Sequence, residues 1–128
     1  MLLDRQLEQG GWNYGNTRVF DQQLRPMLLS TALALCALAG RVQRGNVEKG
    51  LFYLKNNMNQ VRTPLSLAWG LLALSAWGER PADAEYSVKE CFQRQTVYGP
   101  YETQTLGVLL ASLLGREGLL DLVRKAER

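Results

Sequence analysis

Three stretches of this chain can be laid over one another. Ser30-Thr31-Ala32-Leu33-Ala34-Leu35-Cys36-Ala37-Leu38 aligns with Ser66-Leu67-Ala68-Trp69-Gly70-Leu71-Leu72-Ala73-Leu74 at an offset of 36 residues, and Thr103 to Ala111 follows 37 residues later. Each copy opens on a hydroxyl residue, expected to accept from the free N–H groups of a first helical turn. Pro26, Pro64 and Pro100 stand at or shortly before these starts, where they keep the preceding segment from running into the helix. Gly40, Gly78 and Gly115 then recur, each followed by a charge (Arg41, Glu79, Arg116), which reads as a left-handed exit from a helix.

After each exit comes a second helical pattern. In the first, Leu51, Leu54 and Met58 form one apolar stripe with Glu48, Lys49, Lys55 and Asn56 off it; in the next, Ala84, Val88, Cys91 and Gln95 recur at helical spacing. The expected fold is therefore all-α, a single domain over residues 1–128 built of α-hairpins of about 37 residues. First helices are expected near 28–39, 65–77 and 103–114, and second helices near 46–58, 82–95 and 118–127. The first helix of each unit is apolar nearly all round and must be covered on both sides, whereas the second, with one apolar stripe, can sit at the surface. An inner and an outer layer follow. A tetratricopeptide-like solenoid, with a period of ~34, would expect amphipathic helices throughout.

The junctions carry a more specific pattern. Gln95-Thr96-Val97-Tyr98-Gly99-Pro100-Tyr101 reads Q-x-x-x-G-x-aromatic, and Lys49-Gly50-Leu51-Phe52-Tyr53-Leu54 reads K-G-x-x-Y-L. Together they resemble the two halves of the QW repeat motif of the squalene/oxidosqualene cyclase and protein prenyltransferase superfamily. Gln9-Gly10-Gly11-Trp12-Asn13-Tyr14-Gly15 is similar to the D-G-G-W-N-Y-G form of the same junction. The pattern departs from the family at Met58, where a glutamine is expected, at Tyr101, which replaces tryptophan, and at the middle junction, which lacks G-x-W. The resemblance implies a partial α/α toroid: inner helices lining a cavity, outer helices around them, and about half of a full ring. Residues Met1 to Glu8 then look like the tail of an outer helix. A glutamine at an outer-helix end, accepting from N–H groups of the next inner helix with an aromatic on its amide, would stitch hairpins together. Gln9, Trp12, Lys49, Gly50, Gln95, Gly99 and Tyr101 are the expected structural repeat motif.

The family's catalytic signatures do not carry over. There is no Asp-x-Asp-Asp acid, and Asp83 and Glu85 read as first-turn charge complementing a helix dipole. With no histidine, the zinc set of prenyltransferases cannot be assembled and His-dependent triads are excluded. No metal site and no cofactor is expected. Cys36 and Cys91 occupy apolar positions and read as small buried hydrophobes of a reducing compartment. The net charge of +3 comes from scattered Lys and Arg without a basic stripe, so no nucleic-acid site is expected. No stretch reaches the ~20 apolar residues of a transmembrane helix. Asp4, Arg5 and Glu8 break the layout of a secretory signal, and the expectation is a cytoplasmic protein.

Two functional readings stay open. One is a terpene-cyclase or prenyltransferase-like repeat domain that binds a polyprenyl or other apolar, isoprenoid-like ligand without a complete catalytic set. The other is a non-catalytic α-repeat module that binds a protein partner. The first junction is 13 residues longer than the other two and carries Trp12, Asn13, Tyr14, Asn16, Arg18, Phe20, Asp21 and Arg25, a mixture suited to binding. Trp12, Asn13, Tyr14, Trp69 and Tyr101 are the candidate binding residues, with junction and core packing as the alternative role for the aromatics. Half a ring would also leave apolar faces bare, to be covered by the missing toroid half, by a lipid-like ligand or by a second copy in a homodimer.

Overall fold

A helix with apolar residues on all sides needs neighbours on all sides, and Pro64–Ala76 is surrounded in that way. The computed structural model describes residues 1–15 and 17–128. Its elements are a 3-10 turn at Leu3–Arg5, a two-residue strand pair β1 (Arg18–Val19) and β2 (Gln22–Gln23), and helices α1 (Leu28–Leu38), α2 (Glu48–Asn57), α3 (Pro64–Ala76), α4 (Ala84–Gln93), α5 (Gln95–Tyr98), α6 (Thr103–Leu114) and α7 (Leu119–Ala126). Further 3-10 turns precede and follow α2, at Arg44–Asn46 and Met58–Gln60. The chain is mostly helical, and no helix among the described residues is long and apolar enough to cross a membrane.

Proline is well placed at the start of α3, because the N–H it lacks would have had no partner in the first turn. Along this helix Leu67, Ala68 and every residue from Gly70 to Ser75 are buried. α1 packs along one side of α3 and α6 along the other, while α2 and α4 bridge them from outside. Leu35, Leu51, Leu54, Leu71, Leu74, Val88, Cys91 and Leu109 join the three inner helices to the two outer ones in one core. Met58 packs onto Gly70, where an added Cβ would lie within 2.4 Å of its sulfur. Behind α3, Gly78 takes φ +73, the Glu79 N–H reaches back to the Leu74 carbonyl (2.8 Å) and the Gly78 N–H to that of Ser75 (3.1 Å). These bonds satisfy carbonyls that a helix end otherwise leaves bare. The Glu79 carboxylate then receives Lys55 (2.7 Å) and the Arg44 guanidinium, and those two bonds hold it below its ordinary pKa.

The structure departs from the sequence expectations at five places. Met1 to Glu8 forms one 3-10 turn and not the tail of an outer helix. Ser30, Ser66 and Thr103 do not cap: the N-cap residues are Met27, Thr63 and Glu102, and none makes a side-chain cap hydrogen bond. Gly115 has φ −79, and the left-handed residue of the third turn is Gly118 at φ +97, packed against Ala76. The strand pair was not foreseen in an all-α chain; its turn is made by Phe20 (φ +50) and Asp21 (φ +60).

The fifth departure concerns α7, expected in the outer layer. It packs on α3 and α6, and it walls a cavity whose other side is Cys36, Ala37, Ala39 and Gly40 of the α1 end and Ala76 of α3. By helical spacing Ala37, Gly40 and Ala76 lie on the side turned away from the buried Leu35, Leu38, Leu71 and Leu74. α7 thus crosses the carboxyl-terminal ends of the inner helices on their exposed side. Its strong apolar stripe explains why, since an amphipathic helix gains by covering apolar surface wherever that surface is bare.

Candidate functional site

The motif residues of the first junction converge on α1 and α2. Gly10 (φ +97) sits so close to α2 that a Cβ there would lie 2.5 Å from the Lys49 backbone, and a Cβ on Gly11 would meet Pro26 and Thr31 within 2.8 Å. Gly50 offers the matching gap on α2: a Cβ would lie 2.9 Å from the Trp12 ring. Trp12 is 3% exposed and its indole N–H donates to the Leu2 carbonyl (2.9 Å), so it is a core residue with no face left for a ligand. Its backbone is held by Thr31, whose Oγ1 accepts the Trp12 N–H (2.9 Å) and donates to the Trp12 carbonyl (3.2 Å). Around this strut Lys49 Nζ donates to the Glu8 carbonyl (3.0 Å), Tyr53 Oη to Pro26 (3.0 Å) and Gln9 Nε2 to Leu24 (3.3 Å). Partial burial raises the Tyr53 pKa, which keeps that hydroxyl a donor.

At the third junction the Gln95 side-chain oxygen accepts the Tyr101 backbone N–H (2.7 Å), just ahead of α6, and its amide donates to Phe92 (3.1 Å). Gly99 makes the turn between them at φ +93. Tyr101 folds back over α4: its hydroxyl donates to the Cys91 carbonyl (2.7 Å) and lies 3.7 Å from the Cys91 sulfur. Burial, then the Cys91 hydrogen bond, raises the Tyr101 pKa. Tyr98 stands out in solvent at 80% exposure. Gln9, Gly10, Gly11, Trp12, Lys49 and Gly50 make one seam and Gln95, Gly99 and Tyr101 another, each tying a junction to an outer helix.

The long first junction presents a different surface. Asn13 Oδ1 accepts from the Gly15 N–H (3.1 Å), while its Nδ2 is buried with no hydrogen-bond partner among the described residues. Asn13, Tyr14, Leu24, Arg25 and Met27 line a shallow pocket of about 280 Å³. Asn16, expected to belong to this loop, lies outside the described residues. Beyond it the β1–β2 hairpin holds Phe20 fully in solvent, on a backbone conformation that bulky residues seldom adopt.

A concavity of about 560 Å³ lies between α7 and the ends of α1 and α3. Apolar wall comes from Ala37, Ala39, Ala76, Leu119 and Leu120, and the rim carries Arg41, Arg124, Glu117 and Asp121. The Cys36 thiol lines it too; burial pushes its pKa up to about 12, so the sulfur is a neutral wall atom at physiological pH. Trp69 lies half-buried on the same side of α3, one helical turn and more from Ala76, and packs against the core. The candidate residues are therefore not one site: Trp12 is in the core, Asn13 and Tyr14 are at the loop pocket, Trp69 is on the inner face and Tyr101 is at the α4–α6 seam. Sequence patterning missed Arg80, whose Nη1 donates to Ser75 Oγ (2.9 Å) while Nη2 is buried without a partner among the described residues. Burial lowers its pKa, and only its place after the Gly78 turn brings it under α3. Among the described residues no three Asp, Glu or Cys side chains group so as to hold a metal ion. Compared with protein-family models, with curated proteins and with solved structures, the chain matches none of them.

Proposed function

We propose that the helices form an arc of an α/α toroid of the cyclase and prenyltransferase kind, and that the domain binds an elongated apolar ligand, such as a polyprenyl chain, without catalysing a reaction on it. The observation that carries this reading is the cavity of about 560 Å³ between α7 and the ends of α1 and α3, within the ~300–1,000 Å³ range of ligand pockets. An alanine and leucine wall suits a hydrocarbon, and the mixed rim of Arg41, Arg124, Glu117 and Asp121 suits a polar end group. The one thiol in the wall is protonated and so a poor nucleophile. Titration with a dansyl-labelled farnesyl probe tests the reading. Saturable micromolar binding is expected, weakened at least tenfold by Ala37→Phe, which fills the cavity from an exposed position. A probe that does not saturate, or binds A37F equally well, refutes it.

The alternative, a module that binds a protein, is favoured by one observation: Phe20 is 96% exposed at a strained hairpin tip. Phe20→Ser separates the two, since probe binding is unchanged by it if the cavity is the functional site.

A further inference from the structure

The inner layer has two flanks, and only one of them is closed. On the α1 flank the chain's own N-terminal segment is seated against α1 and α2, with Leu7 and Trp12 each 3% exposed. On the α6 flank Leu110 is exposed and Leu106 and Leu113 are half-buried, and with Val88, Phe92 and Leu109 they line an apolar groove of about 470 Å³ between α4 and α6. Leu110 is 56% exposed and Phe92 52%. α3, the preceding helix of this layer, has α1 on one flank and α6 on the other, whereas α6 has α3 on one flank and this groove on the other.

We infer that this groove is covered by the same groove of a second copy of the chain, related by a two-fold axis, independently of any ligand on the inner face. Two features single out that occupant. First, its rim is self-complementary in charge: Glu85 and Lys89 stand one helical turn apart on α4, Lys89 is exposed with no ion-pair partner among the described residues, and a two-fold axis between the α4 helices carries each Lys89 toward the Glu85 of the other copy. Arg116, paired to Glu85 at the edge, leaves that carboxylate an oxygen to share. Second, one closed and one bare flank give an assembly that stops at two. Head-to-tail stacking would need the α1 flank, which is already occupied, whereas like-to-like pairing uses the bare flank twice and closes.

Sedimentation equilibrium over a range of about 5–200 μM tests the inference. The expected species is twice the 14.4 kDa chain mass, with Leu110→Glu shifting it to monomer at least tenfold in dissociation constant while leaving the helical circular dichroism unchanged, because Leu110 is more than half exposed. Lys89→Glu and Glu85→Lys are each expected to weaken self-association, and mixing the two variants is expected to restore it as a heterodimer. That mixing arm reads the charge pairing without touching the core. A wild-type chain that is monomeric at 200 μM overturns the inference, whether the groove is left bare or serves another partner. A dimer indifferent to L110E overturns it equally, by placing the interface elsewhere.

Discussion

Removing one hydroxyl from the core tests the seam between the first junction and α1. Thr31→Val keeps the β-branched shape and the volume of the side chain but takes away the oxygen that accepts the Trp12 N–H at 2.9 Å and donates to the Trp12 carbonyl at 3.2 Å. Thr31 is 0% exposed and Trp12 3%, so water cannot step in for the lost partner. A buried donor left bare costs about 1–3 kcal/mol, and the bond to the carbonyl adds about 1 kcal/mol, so the variant is expected to lose roughly 2–4 kcal/mol. For a chain of this length that is a fall in Tm of roughly 7–15 °C. Thr31→Ser keeps both bonds and gives up one methyl, for about 1 kcal/mol. Urea unfolding followed by tryptophan fluorescence, with m-values compared, measures both. Serine should outlast valine; a valine variant within about 0.5 kcal/mol of wild type, or more stable than serine, would refute the strut and leave Trp12 held by packing alone.

Two further outcomes follow from the ionisable groups. Alkylation of Cys36 by iodoacetamide at pH 8 should run roughly 1,000-fold slower in the native chain than in urea, since raising the pKa from 9.0 to about 12 reduces the thiolate by that factor; mass spectrometry showing fast native labelling would place the thiol in water. Glu79 has a lowered pKa, so its contribution to stability is full above the ordinary value of 4.5 and is lost as pH falls through its folded value; Glu79→Gln should flatten the stability profile in that acidic window and leave it unchanged in shape near pH 7, as pH-dependent unfolding curves would show.

The helices were legible because the core decides them. Apolar residues repeat at helical spacing in α1, α3 and α6, and Pro64, Gly40 and Gly78 mark ends by covalent geometry, which the rest of the fold cannot overrule. The caps were not legible. Ser30 and Thr31 are one residue apart, and which of them points at the first junction depends on where Trp12 lies, a long-range fact. The layer of α7 was hidden for a similar reason: an apolar stripe says that a face will be covered, not by which neighbour. Nor does the β1–β2 hairpin announce itself, since its strands are two residues long and its turn, Phe20-Asp21, lacks the glycine that such turns favour. Among the candidate site residues, an aromatic pattern identified Trp12 and Trp69 but could not divide core from surface, because packing and ligand contact ask for the same side chains.

The position of α3 governs how this chain can come apart. It touches α1, α2, α4, α6 and α7, and no other helix reaches as many. Openings that free the hairpin, the N-terminal turn or α7 leave α3 with neighbours on its remaining sides, so they are local and low in free energy. No partial opening exposes the amides of Leu71 to Ser75 without separating α1 from α6, which are joined chiefly through α3. Hydrogen exchange at those amides therefore reports the global unfolding free energy, and the chain behaves as one cooperative unit about its middle with edges that loosen independently. A binding surface placed on α7 or on the hairpin can rearrange around a ligand without risking the fold.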